Sequence, residues 1–256
     1  MQKILIGLGV LGGLAVLSII FLFATAGLQF PKRLSYNSPP PVIRLGNDFY
    51  QFPWETKDGP YGSKWPGAVN LRLHFPDMRG TTPENWNEMH QTGQKNPTLQ
   101  ILLDDPNHPD VQSSMKATPT AVMWRIVDLF LNENVLMERK NNNTAELLQD
   151  FNSSVTLNLT ELRLKPDANS KNSARRTAML KFGARYFLQI ENQKIETILD
   201  CDGPKQHRNP HCTLYFPYRD IVVKAHFVMS LTANWYQIKS GLTNFLEKTD
   251  FRNRGN

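Results

Sequence analysis

The sequence is short of the residues that mark catalysis. It holds two cysteines in 256 residues, which leaves no material for a cysteine-rich metal module or a multi-disulfide scaffold. It contains no Gly-x-Ser-x-Gly elbow, no phosphate-cradling P-loop and no His-Glu-x-x-His helix. The common hydrolase, nucleotide-binding and metalloprotease signatures are therefore missing. No segment repeats at a fixed period. Acidic excess is missing too: net charge is +6, with a pI near 9.3. That surplus is mild for this length and falls short of a nucleic-acid footprint, so no nucleic-acid partner is expected.

Charge is absent altogether from Ile4 to Pro31, and Ile4 to Leu28 is almost wholly Ile, Leu, Val, Gly, Ala and Phe. As a helix this run would measure about 37 Å at about 1.5 Å per residue, enough to cross a hydrocarbon core of about 30 Å. Residues 1–28 are read as an N-terminal transmembrane anchor, or signal-anchor. Ala24-Thr25-Ala26 offers a small-x-small cleavage site before Gly27, but the apolar run exceeds the usual core of a cleavable signal, which favours retention. The short tail before the anchor favours the large domain on the far side. Residues 29–41, with Pro31, Pro39, Pro40 and Pro41, form an extended spacer, and residues 42–256 form one exported domain.

The two cysteines lie in Asp-Cys201-Asp-Gly-Pro-Lys-Gln-His-Arg-Asn-Pro-His-Cys212, between strand-like flanks. Gly203, Pro204, Asn209 and Pro210 make the stretch a loop. A disulfide at its base suits an oxidising compartment. The alternative is zinc on Cys201, His207, His211 and Cys212, for which adjacent His211 and Cys212 close a tetrahedron poorly.

Hydrophobic spacing predicts an α+β domain, a mostly antiparallel sheet with a C-terminal amphipathic helix packed on it. Val69 to Phe75 alternates apolar and polar, Leu99 to Leu103 reads as a buried strand, and Ser154 to Leu164 alternates as one strand. Ala121 to Leu131 is open between strand and helix. Thr82-Pro83-Glu84 supplies a cap, an N1 proline and an acidic first turn for a short helix through His90. Arg185 to Glu191 and Lys194 to Leu199 form a hairpin, followed by strands at Thr213 to Phe216 and Ile221 to Val228. Ser230 caps a final helix carrying Leu231, Trp235, Ile238, Leu242 and Phe245 on one face.

Few constellations point to chemistry. Asp104, Asp105, His108 and Asp110 fall within seven residues and are candidate ligands for a divalent cation. The competing reading is a proline-stiffened turn in which Asp and Asn cap their own backbone. Glu84, Glu88 and His90 share the short helix and read as a solvated face. Trp54, Tyr61 and Trp65, set among Pro53, Gly59, Pro60 and Gly62, are either a rigid aromatic recognition surface or a lid on the sheet. Arg175 and Arg176 sit in a basic run from Arg163 to Arg185, which is either a solvated loop or a surface suited to an acidic protein or lipid headgroups. Asn142, Asn152 and Asn158 begin Asn-x-Ser/Thr sequons.

Taken together, the anchor, the strand ending in Phe75-Pro76-Asp77-Met78 with Pro83-Glu84-Asn85 after it, the Cys201 to Cys212 loop, and the final strand plus the Trp235-Tyr-Gln-Ile238 helix resemble a known group. They are similar to small single-anchor envelope proteins found beside type VI secretion toxin genes in Gram-negative bacteria. The resemblance implies a single-pass inner-membrane protein with its domain in the periplasm. Such a protein acts as an immunity protein that binds a cognate toxin, or as an accessory factor. It implies no cofactor, and it carries over no catalytic or contact residue. Two other functions compete: an envelope hydrolase using Asp104, Asp105, His108 and Asp110, and an assembly factor of an envelope machine.

Overall fold

The computed structural model describes residues 39–56, 67–89, 91–112, 116–132, 152–154, 159–162, 181–192, 194–203 and 209–254. The apolar segment of residues 4–28 lies outside them. Among the described residues, no helix is long and apolar enough to cross a membrane.

Alternation dictates the first elements. A small hairpin, β1 (Ile43–Leu45) and β2 (Asp48–Tyr50), turns at Gly46 and Asn47. It precedes an eight-stranded sheet in the order β3-β4-β10-β9-β8-β7-β6-β5, with every neighbouring pair antiparallel. Its strands are β3 (Ala68–His74), β4 (Thr98–Asp104), β5 (Asn152–Ser154), β6 (Leu159–Leu162), β7 (Arg185–Glu191), β8 (Lys194–Cys201), β9 (His211–Tyr218) and β10 (Ile221–Val228).

Because side chains alternate along a strand, the odd positions Val69, Leu71, Leu73, Leu99, Ile101 and Leu103 line one face. Leu214, Phe216, Val223, Ala225 and Phe227 continue that face across β9 and β10. Helix α3 (Trp235–Thr249) covers it through Trp235, Ile238, Leu242 and Leu246, each buried. The predicted C-terminal packing is thus observed. Ser230, however, is not the cap: it lies in a 3-10 run, Met229–Asn234, and Asn234 precedes the helix without a side-chain cap bond.

Two expectations are corrected. The segment expected as a single strand from Ser154 to Leu164 is instead a hairpin, because β5 and β6 pair with each other at one edge of the sheet. Alternation alone does not reveal a reversal between two strands of the same character. The short helix after Thr82 is also shorter than expected, α1 spanning Trp86–Met89 after a turn at residues 83–85. Its start is built as the cap predicts, reciprocally. Asn85 N–H donates to Thr82 Oγ1 at 3.4 Å, and Thr82 N–H donates to Asn85 Oδ1 at 2.6 Å. His90 lies outside the described residues.

The ambiguous apolar run is a helix, α2 (Pro119–Asn132), on the opposite face of the sheet. Thr118 Oγ1 accepts the Ala121 N–H at 3.2 Å and Pro119 occupies the first helical position. Met123 and Val127 pack on Tyr186, Leu188, Ile195, Ile198 and Val222. The sheet is therefore sandwiched, with a helix on either face. Ile195 reaches this second face only because a register shift opposite Gln189 and Ile190 inserts one extra residue, Glu196, into β8. Lys239 of α3 answers that irregularity, donating to Glu196 O at 3.1 Å and Thr197 Oγ1 at 3.0 Å. Burial lowers its pKa from the usual lysine value.

Candidate functional site

The Asp104 to Asp110 turn spends its polar groups on the backbone. Asp105, 3% exposed, accepts the Gly46 N–H at Oδ2 and the Asn107 N–H at Oδ1, both at 2.9 Å. Its own N–H donates to Gly67 O at 2.8 Å. One carboxylate thereby pins two loops to the end of β4. Gly67 has φ +74° and lies so close to the turn that an added Cβ would stand 2.5 Å from His108 Cβ, so only glycine fits. His108 Nδ1 accepts the Asp110 N–H at 3.3 Å. Asp104, half-buried, has a carboxyl pKa raised by burial and by the neighbouring charge of Asp105. Among the described residues no three His, Cys, Asp or Glu side chains converge to hold a metal. Asp105 and His108 thus cap the turn's own backbone, and Asp104 ends β4 beside it.

The cysteine reading resolves in the same manner. Cys201 and Cys212 are cross-strand partners on β8 and β9, joined by a disulfide with Cα atoms 4.0 Å apart. Both sulfurs are consumed, which removes the zinc alternative. His211 does not turn toward them: its ring stacks on His226, centroids 4.7 Å apart. His207 lies outside the described residues.

Of the aromatic trio, Trp54 begins a half-buried 3-10 turn, Trp54–Thr56, while Tyr61 and Trp65 lie outside the described residues, as do Arg175 and Arg176. Of the expected binding surface, only Trp54 therefore falls among the described residues.

It does assemble two polar clusters that the sequence did not announce. In the first, buried His74 stands between two carboxylates. Its Nδ1 is 3.1 Å from Asp77 Oδ1, and Glu88 Oε1 is 3.1 Å from Nε2, within ion-pair distance but without hydrogen-bond alignment. Arg79 closes the ring, reaching Asp77 Oδ2 at 3.1 Å and Glu88 Oε2 at 2.8 Å. Burial alone would raise the Asp77 pKa, but the His74 hydrogen bond, its own backbone amide and the Arg79 charge outweigh it and hold it low. His74 occupies an outward position of β3 and is buried because the turn at residues 75–79 folds back over it, with His74 N–H donating to Arg79 O at 2.8 Å.

The second cluster ties the ends of the domain together. Arg219, in the tight turn between β9 and β10, donates through Nη1 to Asp48 Oδ2 at 2.8 Å and Asp250 Oδ2 at 2.7 Å. Arg252 joins both carboxylates from the other side. The aspartates are buried, at 8% and 1% side-chain exposure, while the two arginines are open at 36% and 54%. Hydrogen bonds from Arg252 and Arg219 outweigh burial and keep the Asp250 carboxyl well below the usual range. Tyr50, beside Asp48, is pushed above the usual phenol value by burial and that charge. The cluster is a clamp whose acids point inward and whose cations face solvent.

No protein-family model matches this chain, and no curated protein sequence does. Among solved structures, the chain is similar to the structure of Smlt3025, an immunity protein of the Stenotrophomonas maltophilia type IV secretion system. The TM-score is 0.54 at 17% identity, over 82% of this chain and 93% of the other. A second match, the Neisseria meningitidis iron-regulated outer membrane lipoprotein FrpD, has a TM-score of 0.42 at 8% identity, over 84% of this chain and 98% of that one. The domain therefore shares the fold of an immunity protein. The secretion system of that neighbour is type IV, where the sequence resemblance named type VI.

Proposed function

We propose that this chain is a membrane-tethered binding protein of the immunity type, which neutralises a secreted toxin by occupying it directly. The observation that carries the reading is the fold shared with an immunity protein across most of both chains. The physical character of the domain supports it. A neutralising protein needs a rigid surface, because ordering costs on binding reduce affinity. Here a helix on each face and a disulfide across β8 and β9 hold the sheet. The acidic turn that would serve a metal-assisted hydrolase has its central carboxylate engaged by two backbone amides, which favours binding over catalysis.

In this reading residues 1–28 stay in the inner membrane, 29–41 space the domain from it, and 42–256 act in the periplasm, where the disulfide forms. The partner is a toxin encoded beside this gene. Sequence features point to a type VI locus and the fold neighbour serves a type IV system, so the neighbouring secretion genes decide which.

The test is genetic and then biochemical. Deleting the gene in a strain that retains the adjacent toxin gene should sensitise cells to siblings, and exported full-length protein should restore survival. The tagged chain should co-purify with that toxin in a fixed ratio. Full resistance of the deletion strain to every sibling toxin would end the proposal.

A further inference from the structure

The β1–β2 hairpin has two dissimilar faces. Leu45, Asp48 and Tyr50 point inward and are buried. Arg44 and Phe49, directly opposite one another, point outward. An antiparallel bridge between Tyr50 and Asp250 joins the hairpin to the C-terminal segment, where Phe251 begins the 3-10 turn Phe251–Arg254. Val42, Phe49 and Phe251 are 43%, 43% and 47% exposed. Among the described residues, the other large apolar side chain so exposed is Tyr236 on α3, at 65%. Arg44 shares the outer side of the hairpin with Phe49, while Arg219 and Arg252 meet the hairpin at the carboxylate of Asp48. The acids that balance them, Asp48 and Asp250, are buried beneath, and nearby Asp220 is occupied by the amides of Asn47. Aromatic rings and guanidinium groups are thus exposed around the hairpin and the C-terminal turn.

We infer that this face rests on an anionic lipid surface. The inference depends on the tether of the proposed function. What selects lipid as the occupant is where the chain enters the domain. Gln51 Nε2 donates to Pro40 O at 2.7 Å, so the polypeptide joins the domain beside this hairpin. Between Leu28 and that fixed point lie residues 29–39, which at full extension reach about 40 Å. A tether of that reach holds the face at high effective concentration near the headgroups, so a weak contact suffices. Three apolar side chains and three cations are few for a free-standing protein interface, which takes about 20–30 residues a side. They suit the boundary region of a bilayer, where apolar groups sink and arginines meet phosphate.

The experiment uses the full chain, labelled with a polarity-sensitive fluorophore at Phe49→Cys, Phe251→Cys or, as reference, Tyr236→Cys; both native cysteines are joined to each other and stay unlabelled. The protein is reconstituted into phosphatidylcholine vesicles with or without phosphatidylglycerol, and carbonate extraction first establishes whether it is embedded. Labels at positions 49 and 251 should shift to the blue and be quenched several-fold by brominated lipid in phosphatidylglycerol vesicles. The label at 236 should stay aqueous, and R44E or high salt should weaken the response. Embedded protein with aqueous labels at 49 and 251 overturns the docking alone. Equal quenching in neutral vesicles overturns the requirement for anionic lipid. Extraction by carbonate overturns the tether and this inference together. A shift that appears only when the adjacent toxin is added assigns the face to protein instead.

Discussion

Helix α3 closes one face of the eight-stranded sheet over a continuous apolar layer that runs from Val69 on β3 to Leu159 on β6 and includes the fully buried Phe187, Phe216 and Phe227. The opposite face is apolar only beneath α2, where Met123 and Val127 meet Tyr186, Leu188 and Ile198. Toward β3 and β4 it turns polar, with Asn70, Arg72, Gln100, Lys224 and His226 alternating against the buried side. The first face supplies the cooperative burial that folds the domain. The second keeps a polar half outside both apolar clusters.

That contrast can be broken by mutation. Phe216→Ala, at 1% exposure on the first face, should cost about 4 kcal/mol in chemical denaturation. Met123→Ala, fully buried on the second face, should cost about 2 kcal/mol, because the smaller cluster around it can relax into the space. Equal losses would show that the two faces fold as one core. Between these falls the disulfide. Replacing Cys201 and Cys212 together by alanine frees a loop of sequence separation 11, worth about 3 kcal/mol in the chain-entropy model. The check is whether reducing agent lowers the melting temperature of the parent and leaves the double variant unchanged.

The same contrast explains what could be read without coordinates. Period-two alternation located Ala68–His74 and the β7–β8 hairpin, and period 3.6 located α3, because each element buries one side only. Helix α2 stayed ambiguous although Thr118-Pro119 repeats the cue used at Thr82-Pro83. Its composition, Ala-Val-Met-Trp-Arg-Ile-Val, is too apolar for the period to stand out. The clamp was invisible for another reason. Arg219 meets Asp48 across 171 positions of sequence, and nothing local distinguishes either from a solvated surface charge. Composition offers Asp105 both as a candidate metal ligand and as a residue capping its own turn. Its partner amides, on Gly46 and Asn107, exist only once the loops are folded against it.

The smallest expected effect belongs to the polar half of the second face, and it depends on pH. His226 stacks on His211 and shares a hydrogen bond with Thr213 through Nδ1, at 3.1 Å. Burial lowers its pKa below the ordinary value of 6.5; the His211 and Lys224 charges add to that, and Asp202 opposes it. The folded state thus prefers the neutral ring, and the unfolded chain takes up the proton first as pH falls. The contribution is complete above about pH 6.5 and is lost progressively on acidification toward the folded pKa. Melting temperature should therefore decline between about pH 7 and 5, and His226→Gln should flatten that decline. On the first face Phe216→Ala should shift the whole curve downward and keep its slope. If His226→Gln leaves the slope intact as well, the acid sensitivity lies elsewhere, and the polar half of the second face is as indifferent to protonation as the apolar layer behind it.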